Sequence, residues 1–304
     1  MIEVTFLGTV SGIPSKDRNH PAIALEYYGE EKDTVLFDCG EGTQKQLMLS
    51  GISFMKINKI FITHWHADHF AGLIPLLATM NLEKRTNELK IFAPEAEKFI
   101  SNILDMGYFG SRFPIEAINV PFEGEEITLI DKASEYEIYS IPVLHTIPSV
   151  AFCFKEKDRW NIDATKLKKF GLRSGRWLKV LKEEGKAEYK GKEIDIKDVA
   201  KVTSGLKVIY TGDTKPCENV VKISANADLL IHDGTFLEAD EVNGKAHADV
   251  TEAAKIAKKA KVKQLILTNI SRRYTDPKEI ETAAKKVFRS TKIAHDLMRI
   301  KIKS

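Results

Sequence analysis

Thr63-His64-Trp65-His66-Ala67-Asp68-His69 places three imidazoles and one carboxylate within six residues. The stretch follows the apolar run Lys59-Ile60-Phe61-Ile62, so a strand feeds directly into a ligand-rich turn. A turn of this kind aims several donors at one point. Imidazole together with carboxylate suits a borderline metal such as zinc, and a loop this dense can serve two ions. The bland alternative is a surface loop that happens to be rich in histidine. Three of the chain's eight histidines in one loop weigh against it. The spacing His-x-His-x-Asp-His therefore points to a metal-dependent hydrolase site.

Around this loop, short apolar runs alternate with turn signals. Residues 2–7, 22–27, 34–37 and 59–62 read as strands, and 43–50 and 70–82 as helices. A strand over 89–92 follows, and Pro94 is expected to open a helix reaching residue 106. Residues 126–130, 135–143 and 150–154 read as strands again. The second half repeats the scheme, with short buried strands at 207–210, 228–231 and 264–268 and helices at 250–259 and 277–287. Two βα-rich halves of related layout predict an α/β fold: one αββα sandwich domain over 1–304 with its site at strand ends.

One loop cannot complete two metal shells, so further ligands are expected at other strand ends. His145 follows the apolar strand ending Pro142-Val143-Leu144, and Asp213 stands in Thr211-Gly212-Asp213-Thr214 after the strand at 207–210. Gly212 would allow close backbone approach beside that carboxylate. A lone His or Asp at a strand end is more often a turn residue. The repeated pattern, apolar strand then ligand, carries the assignment. A carboxylate bridging two cations with a hydroxide between them suits phosphoester hydrolysis.

Composition bounds the rest. The 304 residues are 43% hydrophobic and 29% charged, as in ordinary globular proteins. Apolar stretches fall far short of a membrane span and no signal peptide opens the chain, which implies a cytoplasmic protein. Cys39, Cys153 and Cys217 are too few and too widely spaced for a disulfide framework or a zinc knuckle, and read as small buried residues. Residues 155–192 hold 13 Lys/Arg against 6 Asp/Glu. Their local charge of +7, within a net +3, leaves −4 for the remainder. This segment carries two helical patterns, 164–170 and 175–184, and too few apolar residues for a core of its own. It reads as an inserted, protruding basic arm for an anionic partner, although a solvated amphipathic helix explains the charge equally well.

These residues together resemble the tRNase Z (ribonuclease Z) family, short form, whose members have the metallo-β-lactamase fold and remove 3′ trailers from precursor tRNA. The resemblance runs end to end. It is carried by Leu7-Gly8-Thr9 with Pro14-Ser15-Lys16-Asp17-Arg18-Asn19, by Phe37-Asp38-Cys39-Gly40-Glu41-Gly42-Thr43-Gln44, and by the histidine loop. His145, Gly212-Asp213-Thr214 and Leu267-Thr268-Asn269-Ile270-Ser271-Arg272-Arg273-Tyr274 complete the set. The histidine loop alone indicates only the superfamily.

The resemblance implies that His64, His66 and His145 hold one zinc ion, that Asp68 and His69 hold a second, and that Asp213 bridges both. Asp68 would also orient or deprotonate the attacking water, and His247 would protonate the leaving oxygen. Lys16, Arg18 and Asn19 would meet the acceptor end of the tRNA, and Lys168, Lys169, Arg173 and Arg176 of the arm would grip its elbow through phosphates. A homodimer is implied as well, with the arm of one subunit holding the tRNA cleaved by the other.

The chain departs from the family's pattern at four places. Asn269 stands where the family usually has a histidine that completes the second metal shell. An amide oxygen is a weaker zinc ligand, so that ion is expected to bind weakly, to exchange for manganese or magnesium, or to be missing. Asp233 in His232-Asp233-Gly234-Thr235 keeps a carboxylate with shorter reach. His247-Ala248-Asp249 replaces a His-Ser-Thr loop, and Ser174-Gly175-Arg176-Trp177 alters the arm's tip. Two other readings stay open: a hydrolase of small phosphodiesters or esters on the same fold, and a tRNA-binding protein with weakened catalysis.

Overall fold

Period-two burial decides which way each strand faces. In the computed structural model, which describes residues 1–106, 110–237 and 246–303, Ile2, Val4 and Phe6 of the first strand enter one core while Leu7 enters another. The same alternation sends Ile23, Leu25 and Tyr27 to the first core and Ala22 and Ala24 to the second. Strands buried on both faces must be covered on both faces.

The described residues form two compact units, residues 1–155 with 206–303, and residues 156–205. The first unit begins with β1 (Ile2–Gly8), β2 (Val10–Ser11), β3 (Ala22–Tyr28), β4 (Lys32–Phe37) and α1 (Thr43–Ser50). Then come β5 (Ile57–Phe61), α2 (Ala67–Phe70), α3 (Leu73–Leu82), β6 (Leu89–Ala93), α4 (Ala96–Asp105) and β7 (Ile115–Asn119). β8 (Thr128–Lys132), β9 (Tyr136–Pro142) and β10 (Val150–Glu156) start the second half. The chain then enters the second unit, with β11 (Arg159–Ile162), α5 (Ala164–Lys169), α6 (Trp177–Glu184), β12 (Lys186–Tyr189), β13 (Lys192–Asp195), α7 (Ile196–Val199) and β14 (Ala200–Thr203). It returns through β15 (Lys207–Tyr210), α8 (Glu218–Ser224), β16 (Leu229–Asp233), α9 (Val250–Lys259), β17 (Leu265–Thr268), β18 (Ile270–Ser271), α10 (Pro277–Val287), β19 (Thr291–Ile293) and β20 (Arg299–Ile302).

Two seven-stranded sheets result, ordered β20-β1-β3-β4-β5-β6-β7 and β19-β17-β16-β15-β10-β9-β8. Their facing sides share one core, in which Phe6, Phe37, Phe61, Phe152, Phe154 and Tyr210 are buried together. The outer face of the first sheet packs on Leu47 of α1, Leu73, Leu76, Leu77 and Met80 of α3, and Ile100 and Ile103 of α4. The outer face of the second packs on Val220 and Ile223 of α8, Ala253, Ala254 and Ala257 of α9, and Ile280 and Ala284 of α10. This is the αββα sandwich that the two-halves pattern predicts. Capping agrees with sequence: Asp249 and Glu252 form a capping box at α9, and Pro277 follows the Asp276 cap of α10.

The structure revises three local expectations. The helix expected over 70–82 is two helices, because the Gly72 amide is diverted to Cys39 O at 2.9 Å. Pro94 does not open α4. It starts the turn between β6 and α4, where its carbonyl accepts from Trp65 Nε1 at 2.5 Å. Cys39 and Cys153 are buried as expected, but Cys217 is only half-buried.

The second unit has a small core after all. Leu167, Leu181, Ala187, Ile196, Val199 and Ala200 are buried together, with Trp160, Trp177 and Leu178 against them. Three of the six lie beyond residue 192, and β14 pairs antiparallel with β11, so bounds of 155–192 truncate the unit. Asp163 caps α5 by accepting from the Thr165 and Lys166 amides. Lys168, Lys169, Arg173 and Arg176 are all exposed on it.

Candidate metal centre

The ligands expected from sequence stand at strand ends, as does Asp233, which was expected only beside His247. β5 delivers Thr63 through His69, β9 delivers His145, β15 delivers Asp213, β16 delivers Asp233, and β17 delivers Asn269. Gly212, with φ +58°, lies against Thr63, and an added Cβ there would sit 2.6 Å from the Thr63 side chain. Only glycine brings Asp213 this close to the histidine loop.

Three nitrogens converge first. His64 Nε2 and His145 Nε2 each lie 3.1 Å from His66 Nδ1. A second set joins His69, Asp213 and His64: His69 Nε2 is 3.2 Å from Asp213 Oδ1, and Asp213 Oδ2 is 4.0 Å from His64 Nε2. Asp68 Oδ2 borders this set at 3.7 Å from His69 Nε2. Each set offers ligand atoms close enough together to hold a metal ion.

Hydrogen bonds fix which nitrogen each ring presents. His145 Nδ1 donates to Ala246 O at 2.8 Å, leaving Nε2 as a lone pair. His69 Nδ1 donates to Asp38 Oδ2 at 2.7 Å. His64 Nδ1 donates to Thr63 Oγ1 at 3.0 Å, and that hydroxyl donates to Asp38 at 2.9 Å. Asp38 also accepts from the Thr63 amide at 2.7 Å and from the Tyr210 hydroxyl at 2.7 Å. One fully buried carboxylate thus sets the tautomers of two candidate ligand histidines, a role that outer groups of metal sites commonly play. Asp38 is a site residue that the ligand spacing alone does not reveal. Its place, right after the apolar strand β4, is the same signal that found His145 and Asp213.

Electrostatics favour a cation. Burial lowers His64 well below the usual imidazole range, helped by neighbouring His69, so it stays a neutral donor. Burial and His145 lower His66 as well. Burial opposes a charge on His69, yet Asp213 and Asp38 hold it well above the usual range. Asp213 stays ionised despite burial because His69, His64 and His247 surround it. Within the centre, Asn269 Oδ1 is buried without a hydrogen-bond partner, as an atom kept for a metal would be. The donor set fits a metal.

Asn269 is buried in a left-handed conformation, φ +58°, which Asn tolerates. Its Nδ2 donates to Asp213 Oδ1 at 2.6 Å. His247 Nδ1 donates to Asp233 Oδ2 at 2.8 Å and lies 3.7 Å from Asp213 Oδ2. The shorter side chain of Asp233 therefore does reach. Burial works against charging His247, but Asp233 outweighs it and raises the imidazole to about 9.

The N-terminal residues expected to meet RNA divide into two kinds. The Lys16 side chain is 90% exposed. Arg18 is instead half-buried, with Nη2 on Thr9 O at 3.0 Å and Nε on Thr9 Oγ1 at 3.2 Å. Asn19 donates through Nδ2 to Glu41 O at 3.1 Å. Arg18 and Asn19 hold the loop's own shape.

Relatives that span the whole chain decide the family. The Ribonuclease Z of Pyrococcus abyssi is 41% identical over 100% of this chain and 97% of its own length. That of Thermococcus sibiricus is 44% identical over 94% and 91%. The chain belongs to the ribonuclease Z family. Within it, residues 2–165 match the family model described as Anti-Pycsar protein Apyc1, and residues 199–270 match the Beta-lactamase superfamily domain. The crystal structure of human tRNase Z, short form, superposes with a TM-score of 0.72 at 28% identity, covering 99% of this chain and 100% of that one. The metallo-beta-lactamase fold protein YhfI from Bacillus subtilis, 19% identical with a TM-score of 0.69 over 99% and 100%, shares the fold. Among the described residues no helix is long and apolar enough to cross a membrane.

Proposed function

We infer that this chain is a metal-dependent endoribonuclease that removes the 3′ trailer from precursor tRNA and leaves a 3′-hydroxyl. The observation that carries this reading is the meeting of His64, His66 and His145 within 3.1 Å contacts beside Asp213 and His69, in a chain of this family. His64, His66 and His145 would hold one ion and Asp68, His69 and Asn269 a second, with Asp213 between them. Zinc suits the first set, and zinc, manganese or magnesium the second. When bound, such ions supply Lewis acidity and lower the pKa of water.

The chain's own groups then divide the proton work. Asp68 accepts the proton of the attacking water at a carboxylate oxygen as the new P–O bond forms. The P–O3′ bond breaks, and the departing oxygen takes a proton from His247. Asp233 engages Nδ1 of that ring, which leaves Nε2 as the donor. The products are a tRNA 3′-hydroxyl and a 5′-phosphorylated trailer.

Lys16, with Arg18 and Asn19 at the foot of its loop, would meet the acceptor end. Lys168, Lys169, Arg173 and Arg176, on the 156–205 unit, would hold the tRNA elbow by phosphate contacts that position without reading sequence. The protein would act in the cytoplasm as a homodimer.

Cleavage of a 3′-extended tRNA by this chain and by Asn269→His, each with zinc and with manganese, tests the reading. Cut products ending just after the discriminator nucleotide are expected. Binding of tRNA with no cleavage by either protein would replace the reading with a tRNA-binding one. Hydrolysis of small esters without tRNA binding would point instead to another hydrolase on the fold.

A further inference from the structure

The loop between β2 and β3 reaches the metal centre through its backbone. The Gly12 amide donates to Asp68 Oδ2 at 3.0 Å, and the Gly12 carbonyl accepts from His20 Nε2 at 3.2 Å. Gly12 has φ +63°, a conformation that lets this peptide face inward without strain only for glycine. β2 itself lies along β18, Val10 beside Ile270 and Ser11 beside Ser271, directly after Asn269. The loop thus borders the centre on two sides.

Both feet of the loop are tied to one carboxylate. Asp296 Oδ2 accepts from the Asn19 amide at 2.7 Å and from Gln46 Nε2 at 2.8 Å. Its Oδ1 accepts from Thr9 Oγ1 at 2.8 Å, and Thr9 is the residue that Arg18 grips. Beside Asp296, Leu297 has φ +62° while its amide donates to Phe6 O at 2.7 Å. A branched apolar residue rarely adopts this conformation, and such strain persists where the surroundings over-determine it. Here the strained turn directs Asp296 to the loop.

We propose that Asp296 is a positioning residue that fixes the loop of residues 12–19 and, through the Gly12 amide, the orientation of Asp68. The loop's tip, residues 13–17, is exposed, and an RNA end pressing on it would be felt at Asp68. Only the RNA half of the test below rests on the endoribonuclease reading.

Hydrogen exchange and two-substrate kinetics on the full chain decide it. In Asp296→Ala, amides over residues 12–19 are expected to exchange about tenfold faster or more while those of β1 and β3 keep their protection. With bis(p-nitrophenyl) phosphate, kcat is expected to fall about tenfold at unchanged KM, and KM for 3′-extended tRNA to rise about tenfold. Asp296→Asn, which retains one acceptor oxygen, should recover most of each change. Unaltered exchange over residues 12–19 in the alanine variant overturns the proposal. So does an equal fall in kcat on both substrates with both KM values fixed, which would mean only fewer folded molecules. A raised KM for tRNA with kcat on the small substrate intact also overturns it, by severing the link to Asp68. If the parent chain leaves 3′-extended tRNA uncut, the endoribonuclease reading fails by itself, and exchange with small-substrate kinetics still decides the role of Asp296.

Discussion

The two ligand sets of the centre are built from different chemistry. His64, His66 and His145 meet through three nitrogens, whereas His69 meets two carboxylates, Asp68 and Asp213, the latter also taking a hydrogen bond from the amide of Asn269. Nitrogen-rich sets favour zinc, and oxygen-rich sets accept harder cations. The second set also spends a carboxylate oxygen on an internal hydrogen bond, Asn269 Nδ2 to Asp213 Oδ1. What joins the sets is Asp38, which fixes His64 through Thr63 and His69 directly. The difference teaches that a single buried carboxylate can organise two neighbouring donor sets of unlike chemistry.

The largest effect is expected from His66→Ala, which removes the nitrogen that both other rings approach. Precursor cleavage should fall about a thousandfold or more, and metal analysis after dialysis should show one ion fewer per chain. Retention of the full metal content would break the division into two sets. Asp38→Asn comes next, since Asn also tolerates the left-handed backbone of this position, φ +54°. Losing the charge behind both histidines should weaken metal binding about 10–100-fold, read by chelator competition, and at both positions. An effect confined to one position would show that Asp38 does not unite them.

Asn269→His sharpens the contrast from the other side. Zinc at the second position should bind about tenfold more tightly, read by titration calorimetry, while the first position is unchanged. Equal zinc affinity before and after would mean that the amide serves as well as an imidazole. The smallest effect belongs to Arg173→Ala. It should weaken tRNA binding a few-fold and lower the slope of log affinity against log salt by about 1, with hydrolysis of a small phosphodiester unaltered. A parallel loss on the small substrate would remove the exposed cations of the second unit from the RNA-binding account.

The histidine loop was legible because its donors are neighbours in the chain at the end of an apolar strand. His145 and Asp213 followed from the same rule, applied where Pro142-Val143-Leu144 and Lys207–Tyr210 end. The rule should also have found Asp38. Its importance was hidden because its partners, Thr63, His69 and Tyr210, lie 25, 31 and 172 residues away. The core of the second unit is hidden in sequence for a related reason: half of it comes from residues 196–200, which return to α5 and α6 only after the β12–β13 hairpin. The resemblance implies an RNA contact for Arg18, and what only the fold shows is that its guanidinium also lies on Thr9.

By itself the sequence determined the alternation that makes two sheets, the helices that cover them, and the residue types able to hold a metal, because those depend on local period and side-chain chemistry. Tertiary structure alone decided which carboxylate orients which imidazole, that Asn269 points its amide at Asp213, and that Asp296 closes the loop beside Asp68. Those are contacts between segments far apart in the chain, and their geometry exists only once both sheets have packed.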